Sequence, residues 1–359
     1  MTTVLPLIGQ ATVTPVPFKI CIPSNGRPER LCRETLTFLH RQGVDQDLIY
    51  VFVDPLDTVH RPGTPEHGTL ELPWYQLYLT THGFAGVHVL PGGPTLSAQY
   101  VCAWNHFGPN SYVIHTSDGV PGMLQKTSES DGRDSLTPIS EGTLTALIAH
   151  GFHMLERTHA RAWSTCASLN PRGLHMYHIS QKCGLLDGNM TGEIIGHPYE
   201  LPFRLSSCIT DVEHTCRLLE RDGKVLRYMM FTTTHEYRGR QGGHARRFTD
   251  NAARVREVHL AIEALEKEFP HLIQYTPDKV CSDKNMPYRF TSIGPQPLEL
   301  PTRVGPAGRP LTYGIAPSTG TERARRSRHL AKKSLKRPAS AHGTETHVSS
   351  SADGTVAST

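Results

Sequence analysis

The sequence predicts an α/β protein built on a mostly parallel β-sheet with flanking helices. Residues 18–23 and 48–53 are apolar along their whole length rather than alternately apolar and polar, which is typical of parallel strands covered on both faces. Leu31, Leu36 and Leu39 form a helical stripe between these two runs. Because parallel neighbours need a crossover connection, the succession of strand, helix and strand predicts a β-α-β unit.

The segments that follow continue this alternation. The further predicted strands are residues 86–90, 111–115, 160–169, 174–180 and 224–234, and the further predicted helices are residues 73–82, 96–107, 143–155 and 251–269. Residues 121–140 are rich in Ser, Gly and Asp, which predicts a mobile loop over the functional site.

Composition divides the 359-residue chain into three segments. Residues 1–17, rich in Thr and Pro, are predicted to be a flexible N-terminal arm, and residues 18–295 to be the folded domain. Residues 296–359 are rich in Pro, Gly, Ser, Thr and Arg, which predicts a disordered basic tail. With 37% hydrophobic and 19% charged residues, the chain can form a sizeable globular core.

The net charge of +4 is concentrated in the tail, because eight of the 37 Lys and Arg residues lie within residues 323–337. Strong attraction to nucleic acid is therefore expected from the tail or from a local patch rather than from the whole body. Such a basic run is typical of nuclear targeting or phosphate contact, with a solubilising tail as the alternative. We expect a nuclear protein if the source is eukaryotic and an intracellular one otherwise.

The eight cysteines are scattered without a C-x-x-C pair, which predicts reduced core thiols of an intracellular protein. The N-terminus lacks the basic and apolar regions of a secretory signal. No apolar run approaches the roughly 18 residues that cross a membrane, so no membrane association is expected.

The turn after the first strand is the first candidate binding site. It consists of Ser24, Asn25, Gly26 and Arg27. Free N–H groups at the first turn of the next helix, together with the Arg27 guanidinium, can hold a phosphate or a ribose. A tight turn with a helix cap explains the same residues equally well.

Two acids directly follow predicted parallel strands. Asp54 closes the second strand, and Asp118 follows the fourth. Open α/β sheets place ligand groups just beyond the carboxyl ends of their strands. Asp118 is therefore a candidate ligand-binding residue, with an ordinary turn residue as the alternative.

The stretch from residue 209 to residue 223 predicts a helix that opens with acids. Asp211 and Glu213 lie at its start, and Arg217 follows Glu213 by four residues, so that the last two can share a helix face. Alternatively, Asp211 is a helix-capping or first-turn acid. For Glu213 and Arg217, the alternative to a catalytic role is an ordinary ion pair exposed to solvent.

A polar loop with two adjacent glycines follows the strand after this helix. Gly242 and Gly243 lie there between Arg240 and Arg246. Adjacent glycines among basic side chains favour contact with an anion through backbone N–H groups, and an ordinary surface loop is the alternative.

The order and spacing of these features resemble the TET/JBP-associated glycosyltransferases, GT-A-like enzymes encoded in phages and some eukaryotes. The group includes relatives of the base J glucosyltransferases of kinetoplastids and is linked to sugar transfer onto 5-hydroxymethylpyrimidines in DNA. The resemblance covers about residues 18–250. It is carried by residues 22–28 (Ile-Pro-Ser-Asn-Gly-Arg-Pro), Asp54, Gly92-Gly93, Asp118, the helix with Asp211, Glu213 and Arg217, and Gly242-Gly243.

The resemblance implies a GT-A-like glycosyltransferase that moves a sugar from a UDP-sugar or similar donor to a hydroxymethylated pyrimidine in DNA. It implies that Asp211 is the general base and that Arg217, Arg240 and Arg246 neutralise the leaving diphosphate. The residues expected on the donor nucleotide are Ser24, Asn25, Gly26, Arg27 and Asp54, and those expected on an anion are Gly242, Gly243 and Arg246.

The chain departs from this family at one place. Family members usually carry two or three aspartates where this chain has Ser117-Asp118-Gly119, and that cluster binds a divalent cation, Mn²⁺ or Mg²⁺, on the donor phosphates. Asp118, helped by the Ser117 hydroxyl, is the predicted metal ligand. The missing acids and the basic tail make a catalytically decayed transferase fold that binds nucleic acid the alternative. A transferase with a protein or small-molecule acceptor is a further alternative that the sequence does not separate from transfer to DNA.

Overall fold

The computed structural model describes residues 17–55, 58–59, 69–181, 183–196, 207–235, 250–278, 287–291, 303–304 and 310–311. Most of the predicted N-terminal arm and most of the predicted tail lie outside these ranges. Arg240, Gly242, Gly243 and Arg246 also lie outside the described residues, so their roles stay predictions.

The described residues contain seven α-helices. They are α1 (Pro28–Leu31), α2 (Thr37–Arg41), α3 (Glu71–Thr81), α4 (Leu96–Phe107), α5 (Thr143–Thr158), α6 (Thr210–Asp222) and α7 (Asn251–Glu268). A wider, π-helical turn over Cys32–Leu36 joins α1 to α2, so the predicted helix after the first strand is continuous. Pro28 stands in the first turn of α1, where its missing N–H costs no hydrogen bond.

The strands are short, with at most six residues. They are β1 (Phe18–Pro23), β2 (Ile49–Val53), β3 (Thr58–Val59), β4 (Thr69–Leu70), β5 (His88–Pro91), β6 (Tyr112–Thr116), β7 (Gly122–Lys126), β8 (Leu136–Pro138), β9 (Ala162–Thr165), β10 (Ile179–Ser180), β11 (Met190–Ile194), β12 (Leu226–Tyr228), β13 (Phe231–Thr234), β14 (Ile273–Tyr275), β15 (Tyr288–Phe290), β16 (Arg303–Val304) and β17 (Pro310–Leu311). Within the predicted tail, β16 pairs antiparallel with β17.

The main sheet has eight strands in the order β10-β12-β9-β11-β6-β1-β2-β5. Strands β5, β2, β1 and β6 are parallel to one another, and β9 is parallel to β12. Strand β11 is antiparallel to β6 and β9, and β10 is antiparallel to β12. The prediction of an α/β fold with a mostly parallel sheet and flanking helices is confirmed.

Helices cover both faces of this sheet because the side chains of each strand alternate between two cores. On β1, Ile20 and Ile22 belong to one core, which also holds buried residues of α1, α2, α3 and α5. Cys21 points into the other core, with buried residues of α4, α6 and α7. The apolar runs predicted as fully covered strands are therefore buried on both sides.

Two predicted segments are divided differently in the structure. Residues 121–140, predicted as a mobile loop, contain β7 and β8, which form a small antiparallel sheet with β13. The single strand predicted over residues 224–234 is two strands, because the chain turns at Met229 and Met230. Strand β12 stays in the main sheet, while β13 leaves it to pair with β7.

Two further observations concern the cysteines and the helices. All seven cysteines in the described ranges are free thiols. In the same part of the chain, none of the helices is both long and apolar enough to cross a bilayer.

Two glycines make room for the largest buried side chain of the sheet. Trp163 on β9 is fully buried, and an added Cβ at Gly151 of α5 or at Gly192 of β11 would overlap its indole. The close packing of α5 against β9 and β11 therefore depends on the absence of side chains at both positions.

We predict that Gly192→Ala lowers the free energy of unfolding by about 1–3 kcal/mol, because the added methyl group overpacks the Trp163 site. Urea denaturation followed by circular dichroism measures this change. The control is Gly173→Ala, where the nearest atom to an added Cβ is Ser168 Oγ at 3.9 Å. Equal stability of Gly192→Ala and the wild type would contradict this account of the packing.

Candidate active site

The predicted site residues of the first half of the chain meet at one edge of the sheet. Strands β1, β2 and β6 are parallel neighbours, so their carboxyl ends lie at the same edge. Ser24 follows β1, Asp54 follows β2, and Asp118 lies two residues beyond β6. This is the edge where open α/β sheets bind ligands.

Asp118 is buried at the centre of a hydrogen-bond network. Its Oδ2 accepts hydrogen bonds from Ser24 Oγ at 2.6 Å and from Arg27 Nε at 3.1 Å, and its Oδ1 accepts one from Arg27 Nη2 at 2.7 Å. The Tyr75 hydroxyl on α3 accepts a hydrogen bond from the Arg27 backbone N–H at 2.9 Å and lies 2.7 Å from Ser24 Oγ. A bidentate guanidinium–carboxylate pair of this kind fixes both side chains.

Asn25 and Asp54 form a second, adjacent network. The Asn25 Oδ1 accepts hydrogen bonds from the Asp54 backbone N–H at 3.1 Å and from Gln99 Nε2 on α4 at 2.7 Å. Gly26 has a φ of +67°, a left-handed conformation that disfavours a side chain. The turn thus presents Ser24 and Arg27 toward Asp118, and Asn25 toward Asp54.

The residues around Asp118 do not fit a Mn²⁺ or Mg²⁺ site as they are arranged. Both carboxylate oxygens already accept hydrogen bonds from Arg27, and the Ser117 hydroxyl donates to Asn189 Oδ1 at 3.0 Å. Within the described ranges, no cluster of three or more His, Cys, Asp or Glu residues has a metal-binding arrangement. Asp118 Oδ2 accepts two hydrogen bonds and Oδ1 accepts one, so little of the carboxylate is left for a divalent cation while Arg27 stays in place.

Asp211 lies in the first turn of α6 and lines a small cavity. The cavity of about 10 Å³ is bounded by Tyr100, His115, Leu186, Gly188, Thr191, Thr210, Asp211 and His214. Ile209, not Asp211, is the N-cap of α6, so Asp211 is a first-turn acid rather than the cap. An added Cβ at Gly188 would overlap the Asp211 carboxylate, so this carboxylate lies directly on the backbone of the turn that precedes β11.

The environment of Asp211 favours its protonated form. Burial is the largest cause and the charge of Asp187 adds to it, so that the pKa of Asp211 is raised to about 6, while His214 lowers it. An acid with a pKa near the working pH suits general-base catalysis, because it is ionised enough to accept a proton and basic enough to hold it.

Asp187 is a functional candidate that the sequence did not reveal. It is buried, and its Oδ2 accepts hydrogen bonds from Thr165 Oγ1 at 2.8 Å and from Thr233 Oγ1 at 2.9 Å. Its Oδ1 accepts from the backbone N–H and the Nδ2 of Asn189, both at 3.1 Å. Burial raises the pKa of Asp187, although these hydrogen bonds and His235 oppose the rise. The sequence Asp-Gly-Asn at residues 187–189 is a turn signature that could have singled it out.

The turn of residues 187–189 connects the two predicted acids. Gly188 contacts the Asp211 carboxylate, and Asn189 accepts hydrogen bonds from Thr116 Oγ1 at its carbonyl and from Ser117 Oγ at its side chain. Asp118 is the next residue in the chain after Ser117. Asp211 and Asp118 therefore flank one turn, at the edge of the sheet that carries the turn of residues 24–27.

Arg217 lies in a different part of α6 from Asp211. Its Nη2 donates to Glu213 Oε1 at 2.6 Å and its Nη1 donates to Glu268 Oε1 of α7 at 2.8 Å. Six residues along a helix rotate a side chain by about 240° and advance it by about 9 Å, so Arg217 faces α7 while Asp211 faces the cavity. The predicted i,i+4 pair is confirmed, and it is buried rather than solvated. We therefore leave Arg217 out of the proposed machinery.

We predict that Arg217→Met lowers the free energy of unfolding by about 3–5 kcal/mol, because it removes the guanidinium that pairs with the fully buried Glu213 carboxylate. Denaturant titration measures the change. Lys267→Met is the matched control, because Lys267 and Glu263 form an exposed i,i+4 pair whose loss costs only about 0.5 kcal/mol. Equally small effects of the two substitutions would refute the structural role of Arg217.

We predict that Asp211→Asn stabilises the fold above pH 6 by about 1–3 kcal/mol. Because the folded-state pKa is raised from 3.8 to about 6, the native protein binds a proton more tightly than the unfolded chain. The wild type therefore loses stability as the pH rises from about 4 to about 6, and the Asn variant does not. Unfolding measured at pH 4 and pH 8 tests this, with the exposed Asp131→Asn as control. No gain at pH 8 would contradict the raised pKa.

No protein-family profile and no curated protein matches the chain. Among solved structures, the chain is similar to the mannosyltransferase PcManGT from Pyrobaculum calidifontis in complex with GDP-Man and Mn²⁺. The two sequences are 14% identical, and the similarity covers 72% of this chain and 67% of the mannosyltransferase with a TM-score of 0.38. A similarity of this size carries no argument about activity, and the functional assignment depends on the site itself.

Proposed function

We propose that this protein is a nucleotide-sugar-dependent glycosyltransferase with Asp211 as its general base. The observation that carries the proposal is a carboxylate with a pKa of about 6 beside a cavity of about 10 Å³. This carboxylate lies at the edge of the sheet where parallel strands and the loop of residues 24–27 favour a nucleotide ligand. The resemblance of the sequence to the TET/JBP-associated glycosyltransferases supports the same reaction.

The donor is expected to lie along the loop that follows β1. Asn25 and Asp54 are held together by hydrogen bonds, and they are suited to bind the ribose or base of the nucleotide. The Arg27 side chain is one-quarter exposed, and with Nε and Nη2 on Asp118 its remaining N–H groups can approach the diphosphate. We propose a UDP-sugar as donor, and no step is assigned to a metal ion.

The reaction moves one proton and exchanges one bond at the anomeric carbon. The acceptor hydroxyl gives its proton to the Asp211 carboxylate as its oxygen forms a bond to the anomeric carbon, and the bond from that carbon to the diphosphate oxygen breaks. General-base assistance contributes roughly 10²–10⁴-fold to the rate. The nucleoside diphosphate leaves with the bonding electrons, and we propose that Arg27 and the loop with Gly242, Gly243 and Arg246 stabilise its charge.

We propose a hydroxymethylated pyrimidine in DNA as the acceptor, as the sequence resemblance implies. The basic segment 323–337 would contact DNA phosphates without selecting a base sequence. A transferase with a protein or small-molecule acceptor uses the same donor site and the same base, so the acceptor is identified only by assay.

We predict that the full-length protein releases UDP when incubated with UDP-glucose and duplex DNA containing hydroxymethylated pyrimidine. Asp211→Asn is expected to lower kcat by about 10²–10⁴-fold while donor binding, measured by thermal shift, is kept. The matched control is Asp131→Asn, because Asp131 is an exposed acid away from the site. The assay is run with Mn²⁺, with Mg²⁺ and with EDTA, and with other nucleotide sugars in place of UDP-glucose.

Other outcomes identify the alternatives. Donor hydrolysis or transfer to a non-DNA acceptor keeps the transferase assignment and overturns the proposed acceptor. If no nucleotide sugar binds, and salt-sensitive DNA binding disappears when residues 320–359 are deleted, the protein is a nucleic-acid-binding module on a decayed transferase fold. Normal turnover by Asp211→Asn removes Asp211 from the role of base.

A further inference from the structure

A second group of titratable side chains lies near Asp211. Glu193 on β11 is buried between His115 on β6 and His214 on α6. Its Oε2 is 3.5 Å from His115 Nε2 and 3.3 Å from His214 Nε2. Sequence patterns gave no indication of this group, because its members are separated by 21 residues or more.

This group contains a buried negative charge. Burial alone would raise the pKa of Glu193, but the two imidazoles, His214 above all, outweigh it and lower the pKa to about 2. Burial lowers the pKa of His115, so His115 is neutral near pH 7. The Coulombic influence of His214 is the largest of those that lower the pKa of Glu193, and the His214 side chain reaches the edge of the group, where it is 12% exposed.

His214 faces the same cavity as the proposed base. It follows Asp211 by three residues, which places both side chains on one face of α6, and both line the cavity of about 10 Å³. That volume holds about one water molecule. A positive charge at His214 lowers the pKa of Asp211 and so favours the carboxylate that accepts the proton.

We propose that His214, held by Glu193, is a positioning residue that keeps Asp211 ionised for proton abstraction from the acceptor. This inference rests on the proposed transferase reaction. His214 does not touch the reacting atoms but offsets two influences that favour the protonated acid, namely burial and the neighbouring Asp187. Without it, a smaller fraction of Asp211 would be ionised at neutral pH.

The other titratable groups near Asp211 do not supply a compensating cation. They are Tyr100 on α4, His115 on β6, Asp187 in the turn before β11, Glu193 on β11 and Tyr288 on β15. Burial raises the pKa of both tyrosines and lowers that of His115, so these three are neutral near pH 7. Asp187 and Glu193 are acids. In the described part of the chain, the balance at Asp211 thus depends on His214.

We predict that His214→Gln moves the acidic limb of the plot of log kcat against pH upward by about one pH unit. The rate at pH 6 falls about fivefold, and the rate at pH 9 approaches that of the wild type, because Asp211 is ionised there without assistance. Glu193→Gln moves the limb in the same direction, because His214 loses the carboxylate with which it pairs at 3.3 Å. The KM for the donor sugar is expected to stay unchanged in both variants.

The matched control is His271→Gln. His271 also pairs with a glutamate of α6, Glu220, at 2.6 Å, but both side chains are about half exposed. A purely structural effect of losing a His–Glu pair would lower kcat equally at every pH, whereas loss of the charge beside Asp211 changes the pH dependence. An unchanged acidic limb in His214→Gln would overturn the proposal.

A second measurement does not require turnover. Carbon-13 NMR titration of labelled aspartate side chains follows Asp211 directly, with Asp211→Asn to assign its resonance. We expect a higher Asp211 pKa in His214→Gln than in the wild type. If the wild type shows no transferase activity but the titration shifts, the proposed function fails and the electrostatic pairing stands. If turnover is normal and neither measurement shifts, only the positioning role fails.

Discussion

The site depends on the buried carboxylate of Asp187. Four donors from three residues converge on it, from Thr165 of β9, Thr233 of β13 and Asn189 within its own turn. These bonds fix the turn of residues 187–189 between the main sheet and the small sheet. Because Gly188 supports Asp211 and Asn189 binds Ser117, the position of both predicted acids follows from this one anchored turn.

The same anchor has an electrostatic cost. A buried acid that is well bonded still repels a second carboxylate nearby, and the raised pKa of Asp211 reflects this repulsion together with burial. A protein selected only for stability would place an amide or an apolar side chain at residue 211. A pKa that is shifted in this way, at a titratable group beside a cavity, is a feature of sites that transfer protons.

The sequence predicted the architecture and the position of Ser24, Asp54 and Asp118 at one edge of the sheet. Unbroken apolar runs predicted β1 and β2, and parallel strands place their following residues at one edge, so Ser24, Asp54 and Asp118 could be grouped without coordinates. Local pattern could not predict that residues 121–140 form strands, since their partner β13 lies about 100 residues farther along the chain. Asp187 was missed because two of its donors, Thr165 and Thr233, are distant in sequence, and the second partner of Arg217 could not be predicted because it lies on α7.

The carboxylates of the two predicted acids, Asp118 and Asp211, have different partners, and this difference suits them to different roles. Asp118 is held by a bidentate bond to the guanidinium of Arg27, which carries a permanent charge. Asp211 shares its cavity with an imidazole instead, that of His214. A fixed ion pair can organise the turn of residues 24–27, whereas an acid with a pKa of about 6 can take up a proton and release it. This difference is the reason why we propose Asp211, and not Asp118, as the general base.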